Sequence, residues 1–180
     1  SIYKKRELKL RNATCTTIAP TGTLSIIAGC SSGIEPLFAL SFVRNVMDND
    51  KLLEVHPHFE EVANDLRFYS RELMDEIAKR GSIKKIKQIP KDVRKVYVTA
   101  HDVSPEWHIR MQAAFQKYTD NAVSKTVNLP HDATVDDVMK VYNLANELGC
   151  KGVTIYRDGS KENQVLSFSR KEKLGNKFMT

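Results

Sequence analysis

Residues 125–156 read KTVNLPHDATVDDVMKVYNLANELGCKGVTIY, and this stretch establishes the class of fold. Its two ends, 125–130 and 152–156, are short runs rich in β-branched residues, which predicts two strands. Between them, Thr134 can cap a helix that Gly149 ends. The apolar residues of that helix recur at helical spacing and share one face: Val138, Val141, Tyr142, Ala145 and Leu148. A strand, a helix and a second strand predict a right-handed parallel crossover, and therefore an α/β fold.

The N-terminal part of the chain contains a second ordered series of elements. Residues 13–18 are rich in β-branched side chains and predict a strand. Pro20 and Gly22 then favour a tight turn. Residues 23–29 predict a short helix that starts at or near a hydroxyl cap and ends at Gly29. The sequence APTGTLS at 19–25 therefore lies between a strand and a helix N-terminus.

This turn is a candidate anion cradle. The hydroxyl groups of Thr21, Thr23 and Ser25 can converge with backbone amides where the helix dipole is positive. Gly22 lacks a side chain that would block the approach of a ligand to the backbone. Several such interactions, each contributing roughly 0.3–1 kcal/mol when exposed, could hold a phosphate without a lysine. A plain strand-to-helix turn with hydroxyl caps explains the same residues, and the two interpretations stay open at this point.

The middle of the chain predicts further helices and strands. A strand is expected within 37–46, and helical spacing of apolar residues runs from Phe59 to Ala78, with an irregularity near Tyr69 and Ser70 and a stop at Gly81.

A short β-like run follows at 96–99. Ser104 and Pro105 then favour a helix start. Trp107 and Phe115 are expected to form core. They share one face of that helix with four further residues: Met111, Ala114, Tyr118 and Ala122.

Composition narrows the functional class. The 180 residues are 41% hydrophobic and 28% charged, with a formal net charge of +6. Residues 1–11 carry +4 and residues 161–180 carry +3, which leaves −1 for 12–160. We therefore expect an α/β body at 12–160 between two basic, loosely ordered flanks. We expect no nucleic-acid face, no membrane span and a cytoplasmic location.

Cysteine and histidine patterns predict no metal site. Cys15, Cys30 and Cys150 are too far apart for a zinc site or a redox Cys-x-x-Cys motif, so reduced and mostly buried thiols are expected. His56 and His58 flank a proline, but no further ligand recurs at a suitable spacing.

Four stretches carry a resemblance to a known family: RNATCTTIAPTGTLSIIAGCSSGIEP at 11–36, QAAFQ at 112–116, DNAVSKTVNLP at 120–130 and LGCKGVTIYRDGS at 148–160. Together they resemble the large subunits of ribonucleotide reductases, and they are most similar to the adenosylcobalamin-dependent, class II branch.

The resemblance implies the C-terminal part of a ten-stranded α/β barrel that converts ribonucleotides to 2′-deoxyribonucleotides by thiyl-radical chemistry. Adenosylcobalamin would generate the radical in the complete enzyme, and the N-terminal portion of the catalytic subunit would be the partner. Substrate phosphates, presented by a ribonucleoside diphosphate, would contact the loop that the resemblance identifies: Pro20, Thr21, Gly22, Thr23, Leu24 and Ser25.

Two departures from the family pattern predict that the chain is inactive alone. The thiyl cysteine of the family lies in an Asn-x-Cys-x-Glu context, which is absent here, and so is a C-terminal pair of reducing cysteines. No catalytic role is therefore assigned to any residue. The cut barrel is expected to expose strand edges that favour self-association. A stand-alone nucleotide-binding or regulatory module, and a nucleic-acid binder using the basic ends, remain alternatives.

Three further residues in the matching stretches have less certain roles. We favour a structural role for Glu35, holding the loop by hydrogen bonds, over acid–base chemistry. Packing is the expected role of Tyr156. Asp120 could be a surface residue or part of the working end of the barrel, and the sequence leaves this undecided.

Overall fold

The computed structural model describes residues 11–45 and 51–160, which divide into two compact units. Of the described residues, the first unit comprises 11–35 together with Pro105–Tyr156. The second comprises 36–45, 51–104 and 157–160. The basic flanks predicted at 1–11 and 161–180 lie, except for the exposed Arg11, outside the described residues.

The described elements are a mixture of helices and short strands, as the sequence predicts. In chain order they are α1 (Gly22–Ala28), β1 (Ser41–Asn45), β2 (Lys51–Val55), α2 (Pro57–Asp65), α3 (Arg71–Arg80), α4 (Lys91–Val96), α5 (Pro105–Gln116), β3 (Thr126–Leu129), α6 (Val135–Glu147) and β4 (Thr154–Arg157). β1 pairs with β2 and β3 pairs with β4, each in a two-stranded sheet. None of the helices described is long and apolar enough to cross a membrane.

The strand, helix and strand predicted at 125–156 are confirmed as β3, α6 and β4. Thr134 caps α6 in a capping box, in which Asp137 N donates to the threonine hydroxyl and the Asp137 carboxylate accepts from Thr134 N. The core of the first unit is formed by apolar residues of α5, β3 and α6: Ile109, Val127, Leu129, Val141 and Ala145. Tyr142, predicted to share the apolar face of α6, is exposed.

Helix α5 buries the face opposite to the one predicted. Trp107 is 64% exposed and Tyr118, beyond the helix end, is 87% exposed. The buried face consists largely of polar residues: His108, Ile109, Gln112, Ala113 and Gln116. The prediction of a core of aromatic residues was wrong because the polar side chains find hydrogen-bond partners inside the unit. Gln112 Nε2, for example, donates to the carbonyl oxygens of Val123 and Gly152.

The strand predicted at 13–18 is reduced to one parallel bridge between Ile18 and Val123. The side chain of Asp120 explains the difference, because its carboxylate accepts hydrogen bonds from the amides of Cys15 and Thr16. Those amides are therefore unavailable to a neighbouring strand.

The second unit is built on the antiparallel hairpin of β1 and β2, in which Ser41 opposes Val55. β1 is shorter than the strand expected at 37–46, and Val46 lies outside the described residues. The predicted irregularity near Tyr69 is the break between α2 and α3, where the Ser70 hydroxyl caps α3. Residues of both helices form the core with apolar residues on either side: Leu40, Phe59, Ala63, Leu73, Met74, Ile77, Ile83, Ile86, Ile89 and Val93.

The β-like run expected at 96–99 is not a strand. Val96 is the last residue of α4, and Tyr97 follows it as the helix C-cap. Thr99 is buried, and its amide and hydroxyl both donate to the Asp102 carboxylate. Its hydroxyl is also within hydrogen-bond distance of the Gly81 carbonyl oxygen. These local bonds hold the backbone in a turn, so β-branched residues alone were a misleading signal here.

Candidate functional site

The candidate phosphate loop lies at the start of α1, as the sequence predicts. Thr21 is the residue before the helix and has left-handed backbone geometry, with φ at 52°. Its carbonyl oxygen accepts from Ser25 N at 2.9 Å, which closes the first helical turn. The amides of the first helical residues, Gly22 to Leu24, point out of the helix N-terminus without an intrahelical acceptor. A side-chain carbon placed on Gly22 would meet no atom within 4 Å, so the backbone is accessible there.

The hydroxyl groups of the loop are arranged differently from the expectation. The Thr21 hydroxyl makes no cap bond and instead accepts from Gly33 N at 2.9 Å. Ser25 donates its hydroxyl to the Gly22 carbonyl oxygen at 2.6 Å. Thr23 is exposed on the first turn of α1. The prediction of a hydroxyl cap was therefore wrong, because the Thr21 side chain turns toward the segment that follows α1.

The segment that follows α1, residues 29–35, folds back against the residues that precede the helix, and we call it the return segment. Gly33 has φ at 52°, and a side-chain carbon there would lie 3.3 Å from the Ala19 carbonyl oxygen. Glycine is needed at this position both for the backbone conformation and for the close approach. The return segment therefore packs directly against the backbone that precedes α1.

Glu35 anchors the return segment, which confirms the structural role predicted for it. Its Oε1 accepts from Thr126 N at 2.5 Å, and its Oε2 accepts from Lys125 Nζ at 2.5 Å. Both partners lie at the start of β3, 90 or 91 residues further along the chain. The carboxylate thus connects the end of the loop to the core of the first unit.

Lys125 and His108 belong to this arrangement, and sequence reasoning missed both. Lys125 Nζ lies 2.8 Å from His108 Nδ1 and donates to the Thr126 carbonyl oxygen at 3.2 Å. Both side chains are buried. The available signal was the position of His108 beside Ile109 on α5, where both are buried.

Asp120, left undecided by the sequence, supports the chain just before the loop. Its carboxylate accepts from Cys15 N at 3.0 Å and from Thr16 N at 3.2 Å, and its own amide donates to the Thr16 hydroxyl at 2.9 Å. The hydrogen bond from Cys15, followed by those from Thr16, lowers the pKa of the Asp120 carboxyl group. Lys151 Nζ donates to the Asp120 carbonyl oxygen.

An open depression of about 480 Å³ lies beside the loop within the first unit. It is lined by three stretches of chain: 17–20, 121–125 and 152–154. Of the predicted phosphate-binding residues, Pro20 lines this depression, and Thr21 to Ser25 do not. The structure therefore brings the start of the loop, but not all of it, to the depression.

The remaining candidate residues are the three cysteines and Tyr156. Cys15 and Cys30 are exposed and Cys150 is half-buried, so the prediction of mostly buried thiols was wrong. Burial raises the pKa of the Cys150 thiol. Tyr156 is half-buried on β4. Within residues 11–45 and 51–160, no group of three or more histidine, cysteine, aspartate or glutamate side chains could hold a metal ion.

Comparison with known proteins gives consistent results. A family model described as the barrel domain of ribonucleotide reductase matches residues 5–156. A vitamin B12-dependent ribonucleoside-diphosphate reductase of Thermoplasma acidophilum is 54% identical over 93% of this chain, and its counterpart in Mycobacterium tuberculosis is 50% identical over 91%. This chain spans only 22% and 23% of the length of those relatives.

Among solved structures, the alpha subunit of a class Id ribonucleotide reductase of Actinobacillus ureae matches 88% of this chain with a TM-score of 0.69. The two sequences are 25% identical, and the match covers 28% of that subunit.

Proposed function

The chain belongs to the ribonucleotide reductase barrel-domain family, and we propose that it is the C-terminal, substrate-phosphate-binding portion of an adenosylcobalamin-dependent ribonucleotide reductase. The substrate in this proposal is a ribonucleoside diphosphate, whose ribose 2′-hydroxyl the complete enzyme replaces with hydrogen. The relatives that are 50–54% identical are vitamin B12-dependent ribonucleoside-diphosphate reductases, which supports both the cofactor and the diphosphate. The partner is the remainder of a longer catalytic polypeptide.

The observation that carries the proposal is the accessible N-terminus of α1. The amides of Gly22, Thr23 and Leu24 are the first of the helix and have no intrahelical acceptor. An anion placed there accepts hydrogen bonds from these amides and is stabilised by the positive end of the helix dipole. A diphosphate supplies enough oxygen acceptors for several amides and for the exposed Thr23 hydroxyl.

Each residue of the loop has a distinct part in this binding. Pro20 fixes its own φ angle, and Thr21 turns the chain into the helix with its left-handed geometry. Gly22 leaves open space over the backbone. Thr23 offers its hydroxyl, Leu24 its amide, and Ser25 ties its side chain to the Gly22 carbonyl oxygen.

The radical chemistry is not assigned to this chain. Adenosylcobalamin would supply the initiating radical in the complete enzyme, and we assign none of the described residues to the cofactor. The division into a body at 12–160 and basic flanks at 1–11 and 161–180 stays a prediction. So does self-association through exposed strand edges.

Phosphate binding can be tested on the 180-residue chain by titration, with amide resonances as the readout. Pyrophosphate and a nucleoside diphosphate should shift the amides of Thr21 to Ser25, whereas an unphosphorylated nucleoside should not. A dissociation constant in the millimolar range, equivalent to about 4 kcal/mol, is expected for part of a site. Shifts confined to the basic flanks, or equal binding of the nucleoside, would contradict the proposal.

A variant pair makes this titration specific to the loop. Gly22→Val places a branched side chain over the exposed amides and should weaken pyrophosphate binding at least tenfold. Ala28→Val is the matched control, since it adds similar bulk to an exposed position at the other end of the same helix. Equal affinity of the two variants would show that phosphate does not bind at the helix N-terminus.

Inactivity of the isolated chain is tested separately. With adenosylcobalamin, a dithiol and ribonucleoside diphosphates, the chain alone should form no deoxyribonucleotide above a blank without protein. Addition of a polypeptide that supplies the remaining length of the Thermoplasma acidophilum relative should give turnover if this chain is a catalytic portion. Absence of turnover in that mixture, with phosphate binding intact, would favour a stand-alone nucleotide-binding module.

A further inference from the structure

We infer that Lys125 is a positioning residue for the phosphate loop: its buried ammonium group holds Glu35, and Glu35 holds the segment that closes the loop. This inference rests on the proposed function, because it concerns the same loop. It assigns a role to a cluster of three side chains, Glu35, His108 and Lys125, that we call the buried lysine cluster.

The hydrogen bonds of Lys125 show that it cannot act on a phosphate directly. Its side chain is only 2% exposed. The ammonium group has three N–H donors, and it has three acceptors within reach: Glu35 Oε2 at 2.5 Å, His108 Nδ1 at 2.8 Å and the Thr126 carbonyl oxygen at 3.2 Å. Since every donor is engaged, the lysine can influence the loop only through its partners.

His108 fixes the orientation of the lysine from helix α5. Because an ammonium group only donates, His108 Nδ1 must accept, which places the ring proton on Nε2. The histidine is 1% exposed and is therefore held in this orientation by the surrounding unit. Lys125 is thus oriented by an element of the core, which makes it a rigid support for Glu35.

The cluster is connected to the loop through Gly33 and Thr21. Glu35 is two residues after Gly33, whose amide donates to the Thr21 hydroxyl at 2.9 Å. Thr21 is in turn the residue that precedes the first helical amide of the site. A displacement of Glu35 therefore changes the position of the amides that would bind phosphate.

The position of helix α1 depends strongly on this connection, because the helix packs little of its own surface against the rest of the unit. None of its seven residues is buried. Leu24, Ile26 and Ile27 are 64–82% exposed. The placement of the helix is therefore determined by the segments at its two ends, and the buried lysine cluster anchors the segment at its C-terminal end.

Charge gives the cluster a second effect on an anionic ligand. The ammonium group of Lys125 neutralises the carboxylate of Glu35 at close range. Removal of the lysine would leave a negative charge on the segment that contacts the loop. That charge would repel a diphosphate as well as release the segment.

The test compares Lys125→Met, which keeps an unbranched side chain but removes the charge, with Lys125→Arg, which retains it. Pyrophosphate affinity of the full 180-residue chain is measured by titration at a temperature where each variant is folded. Lys125→Met should lose at least tenfold, or about 1.4 kcal/mol, and Lys125→Arg should recover part of the loss. In the ligand-free protein, the amide resonances of Thr21 and Gly33 should shift in Lys125→Met.

A destabilising variant elsewhere in the same unit separates positioning from general loss of stability. Val141→Ala removes buried volume from α6 outside the cluster, and it should lower the unfolding midpoint while keeping the wild-type affinity. The inference is overturned if Lys125→Met binds pyrophosphate like the wild type, or if Val141→Ala loses as much affinity as Lys125→Met.

Two further measurements keep the outcomes distinct. If Lys125→Met does not fold, Glu35→Gln replaces it; this variant retains an oxygen acceptor for Thr126 N but loses the ion pair with Lys125, and the amide resonances of Thr21 and Gly33 should shift in it as they do in Lys125→Met. If the wild-type chain binds no pyrophosphate, the proposed function fails, and the positions of the Thr21 and Gly33 amide resonances in Lys125→Met still decide whether the cluster controls the loop.

Discussion

Gly33 donates its amide hydrogen to the hydroxyl oxygen of Thr21 at 2.9 Å, so the segment after α1 is tied to the residue before it. Thr21→Val preserves the shape of the side chain but removes the acceptor. We expect a loss of about 1 kcal/mol of unfolding free energy, measured by urea denaturation. Thr21→Ser should behave like the wild type.

The control for this prediction is Thr23→Val, since Thr23 lies two residues away on the exposed first turn of α1. Its effect on stability should stay within about 0.5 kcal/mol. If both valine variants lose the same free energy of unfolding, the hydrogen bond between Thr21 and Gly33 does not contribute to stability.

Gly33 and Gly29 form a second matched pair, because both have positive φ but only one is crowded. Gly29→Ala meets no atom within 4 Å and should cost about 1–2 kcal/mol from backbone strain alone. Gly33→Ala adds a contact of 3.3 Å to the Ala19 carbonyl oxygen and should cost more. Chemical denaturation of the two variants measures the difference, and equal losses would show that Gly33 is not closely packed.

The two faces of α5 should respond differently to substitution. Ile109→Ala truncates a fully buried core residue and should destabilise the chain by about 2–5 kcal/mol. Trp107→Ser should change the free energy of unfolding by no more than about 0.5 kcal/mol, since the indole is mostly exposed. Urea denaturation followed by circular dichroism avoids dependence on the tryptophan signal. A large loss of unfolding free energy in Trp107→Ser would show that Trp107 packs in the core, as its spacing predicts.

Acid should weaken the first unit through Asp120. Hydrogen bonds from Cys15 and Thr16 lower the pKa of its carboxyl group in the folded chain below the ordinary 3.8. The resulting stabilisation is complete above pH 3.8 and is lost as the pH falls through the lower, folded-state pKa.

This dependence appears in melting temperatures measured from about pH 5 to 2. Asp120→Asn should melt at a lower temperature than the wild type near neutral pH, and its melting temperature should fall less in acid. Parallel curves for the two proteins would mean that Asp120 does not titrate differently on folding.

Sequence patterns predicted the elements whose signals are local. Thr134 and the glycines at 29 and 81 mark helix ends by side-chain chemistry or backbone geometry within a few residues. Pro20 and Gly22 likewise located the turn before α1, although the Thr21 hydroxyl accepts from Gly33 N instead of capping the helix.

The features that the sequence did not predict depend on partners far along the chain. Apolar spacing on α5 indicated a buried Trp107, but Gln112 is buried because its amide meets carbonyl groups of Val123 and Gly152. Lys125 is buried for a similar reason, since Glu35 lies 90 residues before it. The spacing of apolar residues along a helix does not show which polar side chains will find partners in distant parts of the sequence.

The anchoring of Glu35 also has a consequence for synthesis of the chain on the ribosome. Its partner Thr126 lies 91 residues closer to the C-terminus, so at 5–20 residues per second it is made roughly 5–18 s later. During that interval the loop and α1 have been synthesised, but the residue that holds Glu35 has not. The geometry that would bind phosphate is therefore acquired late in translation.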